Sequence, residues 1–194
     1  MKNESTFKYI LRLTVTLLLI CAFVALALAG VNAITKDKIA ENKAEKTRQA
    51  LQKVLPGVQK VKEIPFTDAT GMVTKVYQSD MSLSNDSNTA FGYAVEVAPN
   101  GFGGAITMMV GVGLDGKVLG ISIISHAETP GLGAVAAQNT DKGVAFRAQF
   151  KGLIHGITIG DGENQIDALS GATISSQAIV DGVNAALACV ENLG

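Results

Sequence analysis

Between residues 13 and 34 the chain reads LTVTLLLICAFVALALAGVNAI, 22 positions without a charge. As a helix, at about 1.5 Å per residue, such a run spans roughly 33 Å, enough for the ~30 Å hydrocarbon core of a bilayer. Backbone amides in hydrocarbon must be satisfied within their own segment, so a helix is the structure open to this stretch. Ala27-Leu28-Ala29 and Val31-Asn32-Ala33 also offer the small-x-small pattern of a signal-peptide cleavage site. A signal h-region is shorter, roughly 7–15 residues, so we read a retained transmembrane anchor. No lipobox precedes Cys21. Lys2, Lys8 and Arg12 flank the run on one side, and Lys36, Lys38, Lys43, Lys46 and Arg48 on the other. Counting basic residues alone leans toward a cytoplasmic C-terminal domain, but long domains translocate largely regardless of such charges.

Past residue 34 the pattern turns amphipathic. Ile39, Ala40, Ala44, Thr47, Leu51, Val54 and Leu55 recur at three- and four-residue steps with Lys and Glu between them. This predicts a stalk helix that ends at Pro56-Gly57, its charged face solvated. The organisation is then a short tail and anchor over 1–34, a stalk over 35–57 and one domain over 58–194. Within that domain, strands are expected at 72–78, 91–98, 103–114 and 117–125, the last two flanking the hairpin turn Asp115-Gly116. Residues 79–89 read as an exposed polar loop. A loop at 126–133, a short helix over about 134–140, a helical stretch at 146–150 and a short strand at 156–159 follow. A final helix spans about 175–191, with Ala178, Ile179, Val183, Leu187 and Val190 on one face. The fold class is α+β, a mainly antiparallel sheet packed with helices.

The formal net charge is −1 and no basic block appears, which argues against a nucleic-acid partner. Cys21 lies in the apolar run and Cys189 in the last helix, so they form no disulfide framework. With only His126 and His155 for imidazole, a zinc or iron–sulfur site made by this chain alone is not expected. Gly111-Val112-Gly113-Leu114-Asp115-Gly116 fits the G-x-G-x-x-G pattern. It sits in a β-hairpin with no helix after it, which is the wrong context for dinucleotide binding.

Two segments carry chemistry. Asp167-Ala168-Leu169-Ser170-Gly171-Ala172-Thr173-Ile174-Ser175-Ser176 sets small residues and hydroxyls before the final helix. Helix starts hold unpaired N–H groups and partial positive charge, a natural seat for phosphate. The plainer alternative is an ordinary helix start with Thr173 or Ser175 as N-cap. Thr173 has no adjacent base in sequence, so it is not read as a catalytic nucleophile. The second segment, Ser125-His126-Ala127-Glu128-Thr129-Pro130-Gly131-Leu132-Gly133, follows a strand and could simply satisfy its own backbone. Gly101-Phe102-Gly103-Gly104 opens a strand or forms a turn with a bulge.

Together these motifs resemble the FMN-binding subunits of Rnf complexes and of Na+-translocating NADH:quinone reductases (Nqr). The first is similar to their (Ser/Thr)-Gly-Ala-Thr flavinylation motif and the second to their His-x-Glu-Thr-Pro-Gly-Leu-Gly loop. The resemblance covers roughly residues 91–189 and is nearer to the RnfG type than to the longer NqrC type. It implies FMN joined through its phosphate to Thr173, with Ser170, Gly171, Ala172, Ser175 and Ser176 around the attachment. It further implies that Asp167 belongs to the motif read by a flavin transferase using FAD as donor. Glu128, Thr129 and Gly131 would shape the wall around the isoalloxazine ring, with Leu132 packing near it and Pro130 in the same cofactor-binding loop. His126 is either a proton donor to reduced flavin or, the reading preferred here, a histidine bonded to its own loop. The implied function is electron relay inside an Rnf-type complex that couples ferredoxin:NAD+ oxidoreduction to Na+ or H+ transport. Integral membrane subunits and ferredoxin- and NADH-handling subunits would be the partners. The implied location is the plasma (inner) membrane, single-pass, with the FMN domain extracytoplasmic. Outside the resemblance, an FMN domain serving another extracytoplasmic reductase and an unmodified membrane-anchored binding module remain alternatives.

Overall fold

The computed structural model describes residues 2–58, 60–79 and 92–193, and side chains from residue 7 onward. Most of the polar loop expected at 79–89, and the first residue of the strand expected at 91–98, lie outside the described residues. By its internal contacts the chain forms two units, residues 1–45 and 46–194. Helix α1, Lys2–Val54, contributes to both.

In the first unit the apolar side chains face outward along the helix, with Phe23 at 74% and Leu26 at 73% exposure. Water would penalise such a surface, whereas a bilayer would not. Its described threonine hydroxyls are satisfied: Thr14 and Thr16 donate to the carbonyls of Ile10 and Arg12 at 3.0 and 2.8 Å, and Thr35 to that of Val31 at 2.9 Å. Such back-bonding removes the cost of a bare hydroxyl in hydrocarbon. This is a candidate membrane-spanning helix by length and composition.

The second unit is an α+β domain. Strands β1 (Val61–Ile64), β2 (Val73–Ser79), β3 (Gly92–Val97), β4 (Thr107–Gly113) and β5 (Val118–Ser125) form an antiparallel meander in that order. Helix α2 (Asp141–Ala148) and a parallel pair of short strands, β6 (Thr158–Ile159) and β7 (Gln165–Ile166), lead to helix α3, Thr173–Glu191. One sheet face presents Val76, Val95, Val110 and Val112 to a core shared with Ile179, Val183 and Leu187 of α3. Fully burying each such side chain stabilises by about 1.5–3 kcal/mol as an upper figure. The close approach of α3 is set at Gly182, where a Cβ would lie 2.5 Å from Met108 Cε and 2.8 Å from Pro99 Cγ.

The opposite face takes the end of α1. Ala50, Val54 and Leu55 are buried with Ala94, Met109 and Ile124. Gly111 makes this seat possible, because a Cβ there would stand 2.6 Å from the Val54 carbonyl oxygen. The glycine that belonged to the false dinucleotide pattern is therefore a packing residue. With both faces covered, β3 and β4 are buried at nearly every position and lose the alternation expected of a one-sided sheet.

Several expected boundaries move. The strand expected at 103–114 begins only at Thr107, because Gly101 N–H donates to the Gly104 carbonyl at 2.8 Å and closes a turn first. The helix expected at 134–140 is a 3-10 turn, Gly133–Ala137; Arg147 donates to the carbonyls of Ala136 and Gln138 at 2.5 and 2.9 Å, and Gln138 is extended. Of the stretch expected at 146–150, residues 146–148 are the end of α2 and 149–150 form a turn. That helix starts at Asp141 because the Thr140 hydroxyl oxygen accepts from Gly143 N–H at 3.3 Å. The expected single face of the last helix is too narrow, since Val180, Ala185, Ala186 and Cys189 are buried as well.

Candidate functional site

Two tight turns face each other across one hollow. In residues 129–132, Leu132 N–H donates to the Thr129 carbonyl at 3.2 Å, with Pro130 at the second position and Gly131 at the third with φ +79°. In residues 169–172, Ala172 N–H donates to the Leu169 carbonyl at 2.9 Å, with Gly171 third at φ +73°. A positive φ at the third position is the type II pattern, open to glycine at little steric cost. The second turn delivers the chain into α3.

How α3 begins corrects the plainer expectation of a capping hydroxyl. Ala172 is the N-cap and makes no side-chain bond. Both nearby serines are committed elsewhere. Ser176 Oγ accepts from Leu169 N–H and donates to the Ala172 carbonyl, each at 2.9 Å. Ser175 Oγ donates to Glu128 Oε2. The first helix-type bond runs from Ser176 N–H to Ala172 O at 2.9 Å, so the N–H groups of residues 173–175 have no carbonyl below them. Among the described residues the exposed Thr173 hydroxyl makes no hydrogen bond. The helix start is thus left open for an anion.

Glu128 is the hub. It is buried, 6% exposed, and its Oε1 accepts from Gly103 N–H at 2.9 Å while Oε2 accepts from Ser175. One carboxylate ties the 101–104 turn, the 126–133 loop and the start of α3 together. Its partner positions must be small: a Cβ at Gly133 would sit 2.5 Å from Glu128 Oε2. Unpairing such a group would cost roughly 1–3 kcal/mol or more for a charge.

Around this hub lies a hollow of about 370 Å³ lined by Phe102, Glu128, Thr129, Leu132, Gly133, Gly171, Ala172, Thr173, Ile174 and Ser175. That size falls among small-molecule sites. Phe102, Leu132 and Ile174 stay 70%, 44% and 59% exposed, a concentration of apolar surface that calls for a partner. Of the sequence-derived site residues, Thr173, Gly171, Ala172, Ser175, Glu128, Thr129 and Leu132 meet here. Pro130, Gly131, Ser170 and Ser176 shape the two turns and the helix start without lining the hollow. Asp167 is exposed; Gln149 holds its backbone, accepting from its N–H at 2.7 Å, and its carboxylate makes no hydrogen bond among the described residues. His126 lies outside the hollow, its Nδ1 accepting from Glu128 N–H at 3.2 Å. Sequence reasoning did not assign Phe102 and Ile174 to the site. The available signal was a lone large apolar side chain in a glycine turn or at a helix start, with no core to join. The Cys189 thiol is pushed up by burial and then by the negative charge of Asp68, a direction that disfavours the nucleophilic thiolate.

A family model for the FMN-binding domain matches residues 101–188, and one for the RnfG N-terminal region matches residues 1–54. The chain is 30% identical to the G-type subunit of the Na+-translocating ferredoxin:NAD+ oxidoreductase complex of Acetobacterium woodii, covering 99% of this chain and 97% of that one. It is 31% identical to the G-type subunit of the proton-translocating ferredoxin:NAD+ oxidoreductase complex of Clostridium ljungdahlii, over 96% and 95%. Its fold matches the crystal structure of the C-type subunit of Na+-translocating NADH-quinone reductase from Parabacteroides distasonis. There the TM-score is 0.54 at 16% identity, covering 79% of this chain and 92% of that one.

Proposed function

The chain belongs to the RnfG family, and on that premise we propose that it carries electrons within a membrane-bound, ion-translocating ferredoxin:NAD+ oxidoreductase. Its FMN is held covalently, through the phosphate, on the Thr173 oxygen. The observation that carries this reading is an unbonded, exposed threonine hydroxyl at an uncapped helix start, beside an apolar hollow.

The residues present fit the group. The N–H groups of residues 173–175, free of carbonyl partners, would hold a phosphodiester on Thr173, and the helix-terminal charge would favour that anion by about 0.3–1 kcal/mol. Such a term is too small to retain a cofactor alone, so the ester bond does so. Phe102, Leu132 and Ile174 offer apolar atoms to a flat ring, while Glu128 fixes the segments that bear them. FMN, when bound, supplies one- and two-electron redox chemistry. Among the described residues no hydrogen bond joins Thr173 to a base, and the Glu128 carboxylate is engaged by Ser175 and Gly103, so a separate flavin transferase with FAD as donor performs the attachment and reads Asp167 in the exposed approach to the helix. The protein is not catalytic alone; integral membrane subunits and ferredoxin- and NADH-handling subunits complete the reaction. The domain lies outside the cytoplasm, where a lost cofactor could not be recaptured.

Intact mass of the protein from its native membrane tests the linkage. The expected mass exceeds the bare chain by one FMN less one water, and Thr173→Ala removes both that increment and in-gel flavin fluorescence. A bare mass in cells with an active transferase refutes the attachment. Co-purification of the other subunits with the anchored chain tests its place in the complex.

A further inference from the structure

A second hollow, about 330 Å³, lies away from Thr173 against the outer edge of β5. The end of α1 contributes Lys46 and Lys53, seven positions apart and therefore on one helical face. From β5 the consecutive residues Ser122, Ile123, Ile124 and Ser125 all line it, followed by His126. Ser122, opposite Met109, and Ile124 face α1 as alternate residues of a strand do, whereas Ile123 packs against the other core; bringing Ser125 to the α1 side as well requires an irregularity. The register supplies it: Thr107 pairs with Ser125 and Met108 with Ile123, leaving Ile124 as an extra, bulged residue on the terminal strand of the sheet. Bulges at sheet edges re-aim side chains and expose backbone donors. No carboxylate lines the hollow, and neither lysine is paired with one among the described residues. His126 Nδ1 already accepts the Glu128 N–H, so in the neutral ring the proton sits on Nε2, the donor that remains.

The geometry points to this hollow as a binding site for a phosphate-type oxyanion. Two ammonium groups, two hydroxyls and an imidazole N–H are all donors, which is the chemistry that recognises such a group. The volume exceeds a single phosphate ion, so the phosphate of a larger molecule fits, whether a small soluble ester or an anionic lipid headgroup. The anion shares His126 with the Glu128 loop, which places both sites on one segment.

The test uses the full-length chain in neutral detergent, titrated with inorganic phosphate and separately with dioctanoyl phosphatidylglycerol, read by 31P NMR line broadening. Saturable binding of either probe is expected, weakened at least about tenfold in Lys46→Gln/Lys53→Gln. The single Lys53→Glu variant should show the same loss, and Lys142→Gln/Lys151→Gln none. Both α1 lysines are exposed, so circular dichroism should be unchanged. Binding of phosphate assigns a soluble ester; binding of the lipid alone assigns a headgroup. No saturable binding of either probe, or equal binding by the double variant, overturns the site.

Discussion

Gly111 and Gly120 are cross-strand partners in the sheet, and replacing each with alanine should give opposite results. Neither has a positive φ, so the backbone tolerates an L side chain at both. At Gly120 nothing lies within 4 Å of a new Cβ. At Gly111 the Cβ would meet Val54 O at 2.6 Å, Val54 Cβ at 2.9 Å and Val54 C at 3.1 Å. These are backbone and β-carbon atoms, not the tip of a flexible side chain, so the end of α1 must move off the sheet. Overpacking of this kind costs about 1–3 kcal/mol. At roughly 2–4 °C per kcal/mol for a chain of this size, Gly111→Ala should lower Tm by about 2–12 °C. Gly120→Ala should leave it unchanged or raise it, since alanine narrows the unfolded ensemble by up to about 1 kcal/mol. Thermal unfolding of the two full-length variants side by side in the same detergent is the assay. Equal shifts, or no loss in Gly111→Ala, would refute the claim that α1 is seated through a missing side chain.

Glu128→Ala leaves the Ser175 hydroxyl and Gly103 N–H without their acceptor, so unfolding in denaturant should show a loss of about 2–4 kcal/mol. If FMN sits on Thr173 as proposed, Phe102→Ala should leave it attached but make its fluorescence more accessible to iodide quenching, because an exposed wall of the hollow is gone. Burial alone would raise the Asp68 carboxyl, but hydrogen bonds from Thr70 and the Val73 amide hold it below its ordinary value. A depressed folded pKa contributes stability that is present above about pH 4 and lost as pH falls through the folded value. Asp68→Asn should therefore flatten that part of the stability–pH profile, measured by denaturant unfolding at stepped pH.

The long uncharged run, the Asp115-Gly116 hairpin, the last helix and both motif loops were legible because each is a local signal: a length, a turn residue, a period. Strands β1 and β7 left no such trace, since four and two residues are too few to show a period. The true start of α2 was missed although Thr140 and Asp141 form a recognisable cap, because the apolar pair Phe146 and Phe150 drew the reading toward its end. At the site, local pattern named Thr173 but misjudged how its helix starts. A serine near a helix start caps it by default, and the sequence held no sign that Ser175 is spent on a carboxylate 47 positions away.

By itself, then, the chain determined where its candidate membrane-spanning helix lies, where it turns and which hydroxyl stands before the last helix, because those depend on neighbours within a few residues. Tertiary structure alone decided that Glu128 joins three distant segments, that Phe102 and Ile174 border the hollow, and that Gly111 seats a helix. Those outcomes depend on which surfaces meet. Burial of a charge or the absence of a Cβ acquires its energy only against the atoms brought to it from elsewhere in the chain.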